Sequence, residues 1–183
     1  MKVKTRKVPE EQLRALRQRW GGLLSEDEQA LRDKLLRMGG GFAIIRPGER
    51  DVFDLLESGE RFDGKAEMRL GESNQCHLNA AKIYMADIVK YAIGTGYALS
   101  SDGLWRQHSW AFHVGSRDVL GRPIETTEER VLYFGLVLRD AAAVGFVLGQ
   151  VSAEEREEFL VGTLKIPRAD VRKMLARKGK KVQ

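Results

Sequence analysis

The strongest constraint on the fold lies between Gly96 and Thr127, where three β-patterned segments follow one another with only tight turns between them. The segments are GYALSS at 96–101, LWRQHSWAFHV at 104–114 and VLGRPIETT at 119–127. All carry the β-branched and aromatic residues that suit a pleated, half-buried surface. Ser101-Asp102-Gly103 makes a natural hairpin turn, and Gly115-Ser116 serves between the second pair. Strands joined this closely pair antiparallel, because a parallel connection needs a crossover of a dozen or more residues. RVLYFGLVL at 130–138 reads as a further strand or as an apolar loop.

Helical patterns flank this sheet. The first runs roughly from Pro9 to Trp20, with Pro9 at its first position, Leu13, Leu16 and Trp20 on one face, and Gly21-Gly22 as its stop. The second opens on a capping box, Ser25 with Glu28, turns Leu31, Leu35 and Leu36 inward, and ends at Gly39-Gly40-Gly41. FAIIR is a short buried strand closed by Pro47-Gly48, and Asp51 to Glu57 forms a short helix. ERFDGKAEMRLGESNQ reads as a polar loop. From Cys76 to about Ile93 the pattern is helical, with Leu78, Ala81, Met85, Ile88, Val89 and Ala92 on one stripe and Gly94 and Gly96 as terminators. Beyond the sheet come the apolar AAAVGFVLG, a capping box of Ser152 with Glu155, and a basic helix opened by Pro167 with Val171 and Leu175 inward. The expected architecture is α+β: a central helix carrying Cys76 at its N-terminus, packed on an antiparallel sheet, with helical extensions at both ends. The boundaries are 1–41 for an N-terminal helical extension, 42–150 for the core, and 151–183 for C-terminal helices with a basic tail.

Several classes are disfavoured by composition. No apolar run approaches the roughly 20 residues needed to cross a bilayer. The basic start, MKVKTRKVPEEQ, is followed by no apolar segment of a signal peptide. A cytoplasmic protein without membrane contact is expected. The single cysteine excludes an internal disulfide framework, leaving Cys76 as either a small buried hydrophobe or a reactive thiolate. Much of the net charge of +5 comes from the ends. Lys2, Lys4, Arg6 and Lys7 lead in; Arg172, Lys173, Arg177, Lys178, Lys180 and Lys181 lead out. Such ends suit nucleic acid or an acidic partner, although solvated tails are the plainer reading. No aromatic residues interleave with them to form a stacking platform.

The chemistry centres on Cys76. At the first turn of a helix, unpaired backbone N–H groups and the positive end of the dipole favour thiolate over thiol. The same groups can hold the oxyanion of a tetrahedral intermediate. The base must come from three histidines, His77, His108 and His113. Strand parity puts His108 with Trp110 and Phe112, and His113 with Ser109 and Ala111, on opposite faces. If Trp110 and Phe112 face the central helix, His108 does too, and His113 points away. His77 follows the cysteine directly and faces elsewhere on the helix. Glu125, on the next strand, is the candidate orienter of the imidazole, ahead of the turn residues Asp102 and Asp118. Gln75 and Gln107 are candidate oxyanion donors; Asn74 is another, or an N-cap. Asn79 is placed to hold the preceding loop, and Trp105 and Trp110 either wall a cleft or fill the core. A zinc set of Cys76 with the histidines is disfavoured by the same parity and by the absence of metal-ligand spacing, and no cofactor is expected.

These residues carry a resemblance. QCHLNA, HSW and IETT, in that order, resemble the cysteine helix, H-A-W strand and D-P-T strand of the transglutaminase-like branch of papain-like thiol enzymes. The chain also resembles uncharacterised bacterial proteins with a C-x-x-N-A helix, an H-x-W strand and a trailing Y-F-G, here Tyr133 to Gly135. The resemblance spans about 60 residues and implies a papain-like core at 42–150, with Cys76 as nucleophile, His108 as base and Glu125 as orienter. The family acid is usually Asp, and the tryptophan common after the cysteine is His77 here. The expected function is a cysteine-dependent amide hydrolase or acyl transferase: protease, deamidase or transglutaminase-type. Its substrate would be an amide-containing protein, peptide or small molecule. The competing expectation is a non-catalytic protein- or nucleic-acid-binding module on the same scaffold.

Overall fold

A computed structural model describes residue 5 and residues 7–179, with backbone alone at 118 and 175–179. The inward position expected for Leu175, and most of the basic residues at the two ends, lie outside the described residues. The fold is α+β. Helices α1 (Glu10–Trp20) and α2 (Glu26–Met38) lead to β1 (Phe42–Ala43), α3 (Val52–Ser58), β2 (Glu60–Asp63) and β3 (Glu67–Met68). Then come α4 (Cys76–Ala86), β4 (Tyr91–Leu99), β5 (Leu104–Val114), β6 (Leu120–Glu125) and β7 (Leu132–Leu138). Helices α5 (Asp140–Gln150), α6 (Ala153–Glu158) and α7 (Arg168–Gly179) close the chain. No described helix is long and apolar enough to cross a membrane.

The strands form one sheet in the order β2-β7-β4-β5-β6-β3, with β1 beside β5. Pairing is antiparallel except for β1 with β5 and β3 with β6. Both hairpins form where the turn residues stand: Gly103, at φ 85°, closes β4–β5, and Gly115 N–H bonds Val119 at the β5–β6 corner. Both capping boxes form, at Ser25–Glu28 and Ser152–Glu155.

The structure differs in two places. The helix expected over Cys76–Ile93 stops at Ala86, because the Asp87 carboxylate takes the N–H groups of Val89 and Lys90 in a turn. Its continuation is β4, the strand between β7 and β5. A strand buried on both faces loses its alternation and imitates a buried helix. The polar segment 60–75 holds two short edge strands, β2 and β3, whose sequences offer little apolar signal. RVLYFGLVL resolves as strand β7.

Gly94 and Gly96 are therefore strand residues. A Cβ on Gly94 would stand 2.2 Å from the Trp110 indole, and Gly96, at φ 153°, faces Gly135 across β7. Gly94→Ala should cost about 3 kcal/mol or more, since the core can relieve the clash only by shifting Trp110. Thermal unfolding measures it; an unchanged midpoint would mean that the indole has room to move.

The core lies on both faces of the sheet. On one, Ala80, Ala81 and Tyr84 of α4 pack with Ala143 and Val147 of α5 on Ile93, Ala111 and Ile124. On the other, Trp110, Phe112 and Tyr133 cluster with Phe62. Helix α1 buries no residue fully; Leu13, Leu16 and Trp20 rest half-buried on Val8, Phe42 and Leu104.

Candidate active site

Cys76 begins α4, and the loop before it is held from within the helix. Asn79, buried, accepts from Glu72 N–H at 3.1 Å through Oδ1 and donates to the Glu72 carbonyl at 2.8 Å through Nδ2. Gly71 lies so close to that amide that a Cβ there would stand 2.6 Å from it. The loop thus arrives in one conformation, with Asn74 in the left-handed region at φ 59° and Gln75 at the N-cap, its side chain making no cap bond.

Helix α4 packs on the Ser109–Ala111 face of β5, opposite Trp110 and Phe112. The condition on which His108 was placed is therefore not met, yet His108 and Cys76 line the same cleft, near enough for each to shift the other's titration. The Ser109 N–H also acts on the sulfur, which places it beside the β5 backbone, at an edge, rather than over either face. From that edge the imidazole one residue away is in reach. Strand β6 ends at Glu125, opposite this part of β5, leaving the edge open.

His108 is 3% exposed, and its Nε2 lies 2.8 Å from Glu125 Oε2. That leaves Nδ1 as the ring nitrogen for the thiol. Glu125 is fully buried. Its Oε2 also accepts from the Tyr133 hydroxyl at 3.0 Å, and its Oε1 accepts from the N–H groups of Thr126 and Thr127 at 2.8 and 3.0 Å and from the Thr127 hydroxyl at 3.0 Å. Arg130 Nε stands 3.8 Å from Oε2.

The electrostatics follow from these partners. Burial alone would raise the Glu125 pKa, but His108 and the two N–H donors lower it from 4.5 to about 2. Burial also pulls His108 down, and is outweighed by the thiol and the carboxylate, so its pKa is raised. At Cys76 burial pushes up, while His108 and the N–H groups of Ser109 and His77 bring the thiol below its ordinary value. The three shifts favour a thiolate–imidazolium pair backed by a permanent carboxylate.

The pair opens on a cleft of about 630 Å³ lined by Cys76, His77, His108, Asn74, Gln107 and Thr127, among others. Placement separates the expected site residues. Asn74 and Gln107 reach the cleft, but Gln107 Nε2 is turned to Glu49 at 3.2 Å. Gln75 is exposed and does not line the cleft; the N-cap position turns its side chain outward. Trp110 does not line it either. It is fully buried against Tyr133, Phe112 and Phe62, on the face away from α4, and stacks on the His108 ring at 6.4 Å. Trp105 is likewise core, its Nε1 donating to Gly39 O at 3.0 Å.

His113 is remote, bound to Arg69 at 3.0 Å and Glu67 at 3.3 Å. His77 reaches the cleft wall, its Nδ1 at 2.7 Å from Ser109 Oγ, which donates to Thr95 Oγ1 at 3.0 Å. Burial and the nearby positive charge of His108 and Arg46 lower its pKa, which disfavours a charge on this second ring. No group of three or more His, Cys, Asp or Glu among the described residues is arranged to hold a metal ion.

Sequence reading missed the remaining partners. Tyr133 stood out only as part of YFG, and nothing local ties it to Glu125. Trp20, Ile44, Arg46, Arg106 and Arg130 reach the cleft from separate parts of the chain. No family model, curated protein or solved structure matches the chain.

Proposed function

We propose that the protein is a cysteine-dependent amide hydrolase or acyl transferase of the papain-like, transglutaminase-like kind, working in the cytoplasm. The observation that carries this reading is the series Cys76–His108–Glu125 at the wall of an open cleft, in which the imidazole is hydrogen-bonded to the carboxylate and lowers the pKa of the thiol. A purely structural cysteine has no need of a buried imidazole that is itself oriented by a five-bonded carboxylate. A lone reactive thiol also persists best in a reducing compartment.

In the proposed reaction the Cys76 sulfur attacks the carbonyl carbon of an amide, forming an S–C bond. The oxyanion takes N–H groups at the start of α4. The His108 proton passes to the departing nitrogen as the C–N bond breaks, leaving a thioester. Water or an amine, deprotonated by His108, then attacks the thioester and releases the thiol. Glu125 fixes the ring and stabilises the imidazolium without taking its proton.

The test is the rate of Cys76 alkylation by iodoacetamide against pH, in wild type and His108→Ala. The expected result is a thiolate titrating well below pH 8 in wild type and shifted upward in the variant. A slow reaction with an ordinary titration, the same in both proteins, would instead make Cys76 structural and the protein a binding module.

A further inference from the structure

We infer that the acyl donor carries an anionic group, a carboxylate or phosphate, which Arg46 binds in the cleft that Cys76 opens on. This rests on the cysteine-enzyme reading and names the substrate class of the same site. Four charged side chains other than histidine line the cleft: Arg46, Arg106, Arg130 and Glu128. Two of the arginines already have carboxylate partners. Arg130 pairs with Glu128 at 2.7 Å, and Arg106 holds Asp102 through two nitrogens, at 3.0 and 2.6 Å.

Arg46 has no carboxylate within ion-pair distance among the described residues. Glu49 senses its charge through space but is bound to Tyr97 at 3.1 Å and Gln107 at 3.2 Å. The guanidinium lies instead 5.9 Å from the centre of the Trp20 ring, exposed at the cleft wall. The backbone beneath it is held in place. Ile44 N–H bonds Trp105 O at 3.0 Å, Ile45 is buried in the core, and the Gly48 and Glu49 N–H groups are tied to the Glu28 carboxylate. A positive group on a held backbone, left over after the internal pairs are counted, is suited to a ligand charge. Beside it, Trp20 and Ile44 give an apolar wall for the rest of that ligand.

The imidazolium adds positive charge, so the experiment must separate Arg46 from His108. Two alkylating probes of nearly one size do so: iodoacetate, an anion, and iodoacetamide, neutral. In both, the thiolate sulfur forms the S–CH₂ bond and iodide leaves with its electron pair. The quantity read is the rate ratio of iodoacetate to iodoacetamide, relative to the same ratio for glutathione, in wild type, Arg46→Gln and Arg46→Glu. The expected ratio in wild type is about tenfold above glutathione. It should fall about fivefold in Arg46→Gln, as expected for losing one nearby charge, further in Arg46→Glu, and with added salt in wild type. Both rates are read at a pH where Cys76 is fully ionised in each protein, so that a change in its pKa drops out of the ratio, and the fold of the variants is checked by their thermal unfolding. Fast iodoacetamide reaction with a ratio that ignores both substitutions overturns the anion site and leaves the thiolate pair standing. An ordinary Cys76 titration, unmoved by His108→Ala, overturns both.

Discussion

His108→Ala is expected to slow acylation of Cys76 by p-nitrophenyl acetate about 10²–10⁴-fold at neutral pH, the range for loss of a positioned general base. The variant loses two effects at once. The thiol returns towards its ordinary pKa, because the hydrogen bond and charge of His108 both hold it down. The positive charge that steadies the developing oxyanion beside the sulfur is lost as well. The thioester, recognised by mass and by its cleavage with hydroxylamine, is the quantity read, so no natural substrate is needed, and Cys76→Ala should show none of it. The fold should tolerate Cys76→Ala, since the sulfur is only half-buried at a cleft wall. An undiminished acylation rate in His108→Ala would remove the imidazole from the chemistry. His77→Ala is the matched control: its ring is committed to Ser109, and its removal should leave the acylation rate within a few-fold of wild type.

Glu125→Ala is expected to destabilise the protein by about 3–5 kcal/mol, the usual cost of removing one member of a buried charged pair. Five donors lose their acceptor: His108, Tyr133, the Thr127 hydroxyl and two backbone N–H groups. Glu125→Gln keeps the shape and loses the charge. It should recover part of the stability while returning the His108 pKa downward and the Cys76 thiol upward. The same carboxylate predicts acid sensitivity. Its folded pKa of about 2 lies below its ordinary 4.5, so the contribution is complete above pH 4.5 and disappears as pH falls to about 2. A shift of that size corresponds to about 3 kcal/mol, which denaturant titrations at pH 6 and pH 2.5 would expose as a loss specific to wild type against Glu125→Gln. Equal acid losses in the two proteins would place the sensitive carboxylate elsewhere.

Local chemistry was legible in the sequence wherever a few adjacent residues determine it. The capping boxes at Ser25 and Ser152, the Ser101–Gly103 turn and the start of a helix at Cys76 depend on bonds within about four residues. The parity that separates His108 from His113 is a property of one strand. Asn79 could be assigned to the loop before Cys76 because it stands one turn into the same helix.

The sequence by itself therefore determined where turns, caps and the cysteine helix begin, and which residues of β5 share a side. Tertiary structure alone decided that Tyr91–Leu99 leaves the helix to become a central strand, since burial on both faces erases the period that distinguishes the two. It also decided which face of β5 receives α4. Parity says which residues face together, but whether that side meets a helix or Phe62 and Tyr133 depends on all the packed neighbours. The surroundings of Glu125 and the charge left on Arg46 come from segments tens of residues apart. Pairing of that kind is settled by packing and charge across the assembled core, which no local window contains.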